Sequence, residues 1–250
     1  MIEFIQHGQQ IELRLNRPPV NALNPELLQA LITALAQAQT ADGRGIVLTG
    51  GAKVFSAGLD VPHLSKLSRT ELAQAWSLFF AAAKAIAKSN KPIVAAIAGH
   101  NPAGGCVLAL CCDYRVMAKG EFRIGLNETQ VGLVVPEAIQ QLLRRCVGAH
   151  RAELLLLQGA MIESAMALQI GLVDELCAAD QVLTQSLAYL DKLANLPQAP
   201  MLKTRAIARA DLIQGLDSFS TEHLDHFLED WYGADTQQAI NALLEKLGKK

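Results

Sequence analysis

Residues 92–117 read PIVAAIAGHNPAGGCVLALCCDYRVM, and this stretch decides the fold class. Pro92–Ile97 is a short apolar run without alternation, the pattern of a strand buried on both faces. Gly99-His100-Asn101-Pro102 reads as a turn. Gly104–Cys111 reads as a buried helix, and Tyr114–Met117 as the next strand. A buried strand, a turn, a helix and another strand in so short a span point to an α/β arrangement.

The same alternation extends in both directions. Towards the N-terminus, Gly45–Leu48 (GIVL) is a compact strand ending at Thr49-Gly50-Gly51. Asn24-Pro25-Glu26 starts a helix, with Asn as N-cap, Pro in the first turn and an acid near the dipole's positive end; it runs to about Gln39. Two strands open the chain, near Ile2–Gln6 and Ile11–Leu15. The loop GGAKVFSAGLD leads to a short helix at Val61–Leu67 and an Ala-rich amphipathic helix at Glu71–Lys88. Towards the C-terminus, Phe122–Ile124 is a strand, and helices follow at Pro136–Cys146, His150–Leu157 and Ser164–Ile170. Leu172–Leu176 reads as one more strand. Helices near 180–194, 198–214, 217–231 and 234–246 complete the chain. The expected organisation is an α/β core over 1–180 and a C-terminal helical region over 181–250.

Of the 250 residues 51% are hydrophobic, enough for a sizeable core, and the formal net charge is −2. Nucleic acid is not an expected partner, because phosphate neutralisation needs a basic surface. No apolar stretch approaches the ~18 residues that span a bilayer, so no membrane partner is expected. Alternation begins almost at the first residue, so no signal or transit peptide is expected and a cytoplasmic location is. Cys106, Cys111, Cys112, Cys146 and Cys177 are odd in number, lie mostly in apolar runs and lack CxxC spacing. They read as reduced, buried thiols.

Chemistry enters at residues 122–133, FRIGLNETQVGL, where Glu128 sits among Phe122, Ile124, Leu126, Val131 and Leu133. Such a carboxylate is either capped structurally, by Asn127, Gln130 or backbone N–H groups, or it is a reactive group. Two glycine loops could supply its partners. They are FSAGLD (Phe55–Asp60) and NPAGGC (Asn101–Cys106). Each alone reads as a tight strand-to-helix turn, and neither fits GxGxxG or GxxxxGK[ST]. Gly104 would lie at a helix start, where backbone N–H groups are free and attract anions. An N–H from the first loop aimed at the same spot would complete an oxyanion hole. His223 and His226, beside Glu222 and Asp225, read as a solvated helix face with no third metal ligand. Ser56 and His63 lack the GxSxG pattern. Asp113 reads as a cap or turn residue. Glu137 suits a helix first turn and stays in reserve as a second carboxylate.

VFSAGLD, PAGGCVLALCCDYR and GLNETQVGL, in that order, resemble the crotonase (enoyl-CoA hydratase/isomerase) superfamily, and within it the mitochondrial-type Δ3,Δ2-enoyl-CoA isomerases. The likeness runs from RPPVNALN (Arg17–Asn24) to ALQIGLVDEL (Ala167–Leu176), and the remainder matches only as a helical tail. The resemblance implies a spiral of ββα turns, with C-terminal helices supporting a homotrimer or hexamer. It implies an acyl-CoA substrate whose thioester carbonyl lies between the N–H groups of Leu59 and Gly104. Ala57, Gly58, Leu59, Asp60, Val61 and Gly104 would form the substrate site, and Glu128 would be the catalytic base. The second catalytic Glu of the hydratases falls on Val107 here. The implied reaction is isomerisation of a 3-enoyl-CoA to a 2-enoyl-CoA in fatty acid β-oxidation, without metal or redox cofactor, the CoA being part of the substrate. A hydratase, a thioester hydrolase and a non-catalytic acyl-CoA-binding protein remain alternatives. Arg14, Arg17 and Lys53 are candidates for charge near the CoA entrance.

Overall fold

The computed structural model describes residues 1–248. In chain order the elements are β1 (Ile2–His7), β2 (Gln10–Leu15), α1 (Pro25–Thr40), β3 (Gly45–Thr49), α2 (Val61–Leu64), α3 (Arg69–Ala87), β4 (Ile93–Ile97), β5 (Asn101–Pro102), α4 (Ala103–Leu110), β6 (Tyr114–Ala118) and β7 (Arg123–Gly125). A 3-10 turn at Glu128–Val131 is followed by α5 (Glu137–Val147), α6 (Ala149–Gln158), β8 (Ile162–Glu163), α7 (Ser164–Gln169) and β9 (Glu175–Cys177). The chain then continues as α8 (Val182–Ala194), α9 (Gln198–Ala208), α10 (Ala210–Asp217), α11 (Thr221–Trp231) and α12 (Ala234–Gly248). None of the described helices is long and apolar enough to cross a membrane.

The main sheet has the order β1-β2-β3-β4-β6-β9, with β1 antiparallel to β2 and every later pair parallel. Both faces of its central strands are covered, which explains their unbroken apolar sequences. Ile46, Leu48, Ile93, Ala95, Ile97 and Met117 face the larger core with α1, α3 and α4. Val47, Val94, Ala96, Val116 and Ala118 face a second cluster closed by Val182 and Leu190 of α8. A smaller sheet, β5-β7-β8, carries the chain from the end of β4 into α4. The N-caps form as their sequences dictate. Asn24 accepts a hydrogen bond from Leu27 N–H, and Ser68 and Glu71 close a capping box that extends α3 two residues before the expected start.

Three expectations are corrected. Asn101-Pro102 is not only a turn: it pairs in parallel with Ile124-Gly125. The last strand is Glu175–Cys177 rather than Leu172–Leu176, because the N–H groups of Leu172 and Val173 both bond to Ala167 O and finish the end of α7. The helix expected over 198–214 divides at Arg209, whose guanidinium turns inward to the carbonyls of Cys111 and Cys112.

The fastening of the helical region to the sheet centres on Asp113, which is more than a cap. Its carboxylate accepts from Ile93 N–H at 2.7 Å and from Arg205 Nε and Nη2 at 2.7 and 2.8 Å, and Arg209 lies 3.1 Å away. These groups are largely buried, so removing the acid strands two cations and a strand N–H. Asp113→Ala is expected to lower stability by ~3–5 kcal/mol, as for other broken buried ion pairs. Urea unfolding measures it, and an unshifted midpoint would show that the cluster does not fasten the helices.

Candidate active site

Adjacent parallel strands set the geometry of the site. β3 and β4 pair in register, Ile46 with Ile93 through Thr49 with Ala96, so both chains leave the sheet at the same edge. The two glycine loops follow those ends. There they line one cavity of about 490 Å³ together with the Glu128 turn. Ala57, Leu59, Asp60 and Val61 form its wall from the first loop, Gly104 from the second, and Glu128 from the third segment. Gly58 is buried behind that wall with a φ of +81°.

The two loops approach at their backbones. A Cβ placed on Gly104 would stand 3.3 Å from Leu59 N, and one on Gly58 would stand 3.1 Å from Gly104 N and 2.9 Å from the Ala103 Cβ. Glycine at both positions is what allows two main chains to meet here. The neighbouring amides are occupied: Leu23 N–H donates to Gly58 O, and Asp60 N–H donates to Leu23 O. Leu59 N–H has no acceptor among the described residues. Gly104 lies in the first turn of α4, where N–H groups lack intrahelical acceptors, and that helix has no side-chain cap. Two amide donors without an acceptor among the described residues therefore lie close together on residues that line the cavity.

Glu128 opens the 3-10 turn. In such a turn residues three apart eclipse, so Val131 stands beside it at the cavity. Thr129 Oγ1 donates to Leu156 O, Gln130 Nε2 to Gln158 O and Thr236 Oγ1 to Gly132 O, which hold the turn from behind. Gln130 thus bonds elsewhere and does not cap Glu128. Glu128 is 8% exposed, and its Oε2 has no hydrogen-bond partner among the described residues. Burial pushes its pKa up to about 7, only partly opposed by a hydrogen bond from its own backbone N–H. A carboxyl near half-ionisation at neutral pH can both take and return a proton.

The other candidates lie elsewhere. Ser56 Oγ donates to Asn21 O in the core. Glu137 is held by Arg144 and Gln141 on the outside of α5 and does not line the cavity. His223 caps α11 with Ser220. Arg14 pairs with Glu3 and Glu12, and neither it nor Lys53 lines the cavity, whereas Arg17 does. Val107, on α4, is 1% exposed and packs into the core. Sequence reasoning missed Asn127 as a lining residue; its Oδ1 is buried without a partner. It also missed Leu243 and Leu247, which bring α12 over the cavity. The amphipathic pattern of that helix was visible, but nothing local showed what it covers. Trp76, Phe79, Leu133 and Ile139 supply the apolar depth.

Residues 7–250 match the Enoyl-CoA hydratase/isomerase family. The mouse protein "Enoyl-CoA delta isomerase 1, mitochondrial" is 32% identical over 241 residues, 95% of this chain and 83% of that protein. A probable enoyl-CoA hydratase of Rhizobium meliloti is 36% identical over 198 residues, 76% of this chain and 75% of that protein. Among solved structures, human mitochondrial delta3-delta2-enoyl-CoA isomerase has a TM-score of 0.94 at 30% identity, covering 99% of this chain and 98% of that one. Isomerases and hydratases both stand among the relatives. By sequence along nearly its whole length, and by the crotonase fold that carries the cavity, this chain belongs to the enoyl-CoA hydratase/isomerase family.

Proposed function

We propose that this protein is a Δ3,Δ2-enoyl-CoA isomerase, acting on a 3-enoyl-CoA of fatty acid β-oxidation. The observation that carries this reading is the count of available carboxylates. Glu128 and Asp60 are the carboxylates lining the cavity, and Asp60 is engaged by Arg17 at 2.7 Å and by His63 N–H at 3.0 Å. Among the described residues one unpaired acid remains. Hydration of a 2-enoyl-CoA, as the family pattern runs it, uses two carboxylates to orient and split water, and the position of the second is Val107. Allylic isomerisation needs only one.

The chemistry runs as follows. The thioester carbonyl sits against the N–H groups of Leu59 and Gly104. Glu128, ionised, takes a proton from C2. The electron pair of that C–H bond becomes the C1=C2 bond of a dienolate, and the carbonyl oxygen takes the negative charge. The paired amides stabilise that oxygen; losing one such donor typically costs ~2.7–4 kcal/mol. The dienolate then collapses, C2=C3 forms, and the C3=C4 pair takes the proton back from Glu128 at C4. The carboxyl ends ionised, as it began. Apolar walls keep water from C3, where it would add to the product.

Glu128→Gln is expected to lower kcat by ~10²–10⁴-fold, the usual range for losing an acid–base group, while butyryl-CoA still binds. Activity retained in that variant removes Glu128 from the reaction. Product analysis with 3-hexenoyl-CoA and 2-hexenoyl-CoA separates isomerase from hydratase, and water addition without isomerisation would overturn the proposal. Because the acting form is ionised, kcat/KM is expected to rise with pH through about 7, the value for Glu128 in the free protein.

The same pKa affects stability. The folded value of about 7 lies above the unfolded value of ~4.3, so between these the folded state holds a proton that the unfolded chain releases. This contribution is fully present below pH ~4.3 and declines as pH rises through about 7, by roughly 4 kcal/mol at ~1.4 kcal/mol per unit. Glu128→Gln is therefore expected to be more stable than the parent at pH 8 and equal to it at low pH. Parallel stability curves for the two proteins would contradict a buried, unpartnered carboxylate.

A final pair of substitutions tests the amides. Leu59→Ala keeps its main-chain donor and is expected to retain most activity. Gly58→Ala puts a methyl group between the loops at a positive φ and is expected to lose about as much as a missing donor, ~10²–10³-fold in kcat. Equal effects in both would disconnect the reaction from the backbone contact.

A further inference from the structure

The segment Arg17–Leu23 lies along the first glycine loop and is tied to it repeatedly. Ala57 N–H donates to Val20 O, Ser56 Oγ to Asn21 O, Asn21 Nδ2 to Phe55 O, and Leu23 bonds to both Gly58 and Asp60. Arg17 closes this splint with its side chain. Its backbone N–H donates to Asn21 Oδ1 at 2.8 Å, its Nη1 to Ala22 O at 2.9 Å, and its Nη2 meets Asp60 Oδ2 at 2.7 Å. Asp60 in turn uses its other oxygen to cap α2 through His63 N–H. Asp60 directly follows Leu59, so the ion pair holds the residue next to the one whose N–H has no acceptor among the described residues.

Arg17 lines the cavity mouth, and a positive charge there suggests a CoA phosphate contact at first sight. Its bonds argue otherwise. Both terminal nitrogens are already directed into the protein, one to a carbonyl and one to a carboxylate, and the pair is mostly covered, at 28% and 13% side-chain exposure. We propose that Arg17 is a positioning residue, which aims the Leu59 N–H at the thioester oxygen by clamping Asp60, and that it does not bind the CoA phosphates. This rests on the isomerase reading above.

The clamp gives a distinctive kinetic pattern. The ground-state thioester oxygen tolerates a loosely aimed donor, whereas the enolate oxygen is stabilised only by a well-placed one. Loss of the clamp therefore lowers kcat rather than raising KM. Arg17→Met and Asp60→Asn, and the two combined, are assayed on 3-hexenoyl-CoA, with direct binding of butyryl-CoA and of acetoacetyl-CoA, whose acidic C2 lets it bind as an enolate. Each single variant is expected to lose on the order of tenfold to a hundredfold in kcat, since a misplacement of ~1 Å costs ~10²-fold. The double variant is expected to be no worse than the poorer single one, and Arg17→Lys to recover part of the loss. Butyryl-CoA affinity stays at the parent value while acetoacetyl-CoA affinity falls. Weakened butyryl-CoA binding with kcat intact would assign Arg17 to the CoA and overturn the proposal. Additive losses in the double variant would also overturn it. If Arg17→Met does not fold, Asp60→Asn and Arg17→Lys carry the same comparison. A parent protein that leaves 3-hexenoyl-CoA unchanged defeats the isomerase reading, whereas an active parent with equally active variants defeats the clamp alone.

Discussion

Two main chains meet at the cavity wall with no side chain between them, and the rest of the site depends on that contact. Gly58 and Gly104 are the residues that permit it; a methyl group on either would press against the other loop's backbone. The contact is a product of the sheet. Parallel neighbours in register deliver successive loops to one edge, as open α/β sheets do generally. Apolar runs on both faces fix that register, because each strand buries alternate residues in different clusters. The amide pair is thus anchored by the most deeply buried part of the protein, although it lies at the surface of a cavity.

The carboxyl opposite is arranged on the contrary principle. A fold gains nothing from burying Glu128 without a partner for Oε2; desolvation of the charged form works against stability above its ordinary pKa. The other buried acid among the described residues is compensated. Glu12, 1% exposed, lies beside His7, Thr49 and Arg14, and although burial pushes its pKa up, hydrogen bonds from those groups outweigh it and hold the carboxyl below its usual range. The same protein therefore contains a buried glutamate equipped to stay charged and another left near its turning point. That contrast supports the proposed role of Glu128 more strongly than burial alone.

The sequence carried most of this because its signals are local. Apolar runs, the Asn24 cap and the two glycine loops are read within windows of a few residues, and the elements formed close to their expected bounds. Where the reading slipped, a distant partner decided. Asn101-Pro102 became a strand because Ile124-Gly125 lies beside it, and the helix beyond Gln198 broke where Arg209 reaches the carbonyls after α4. In the site, the two glycine loops and Glu128 were readable as candidates, since tight strand-to-helix turns need glycine and an isolated carboxylate is unusual in an apolar run. Asn127 and the α12 leucines were not. Lining a cavity is a relation between segments far apart in the chain, and neither an asparagine at a turn nor a leucine on an amphipathic helix announces it.

The division between isomerase and hydratase chemistry then comes down to water. On the proposed reading, water near C3 is disfavoured by the apolar lining residues Trp76, Phe79, Val131, Leu133 and Ile139, while Glu128 and Asn127 Oδ1, polar atoms of the lining, lie together at the 3-10 turn. Glu128 is the only unengaged acid among the described lining residues, and a second acid on α5, Glu137, is turned outward onto Arg144. A lone carboxyl facing a dienolate has two sites within its reach, C2 and C4, that can hold the proton. In the proposed isomerisation the proton it has just removed is the one it returns. On the proposed reading, the burial that raises the pKa of Glu128 also favours isomerisation, and a polar group introduced into the apolar wall is expected to alter both together.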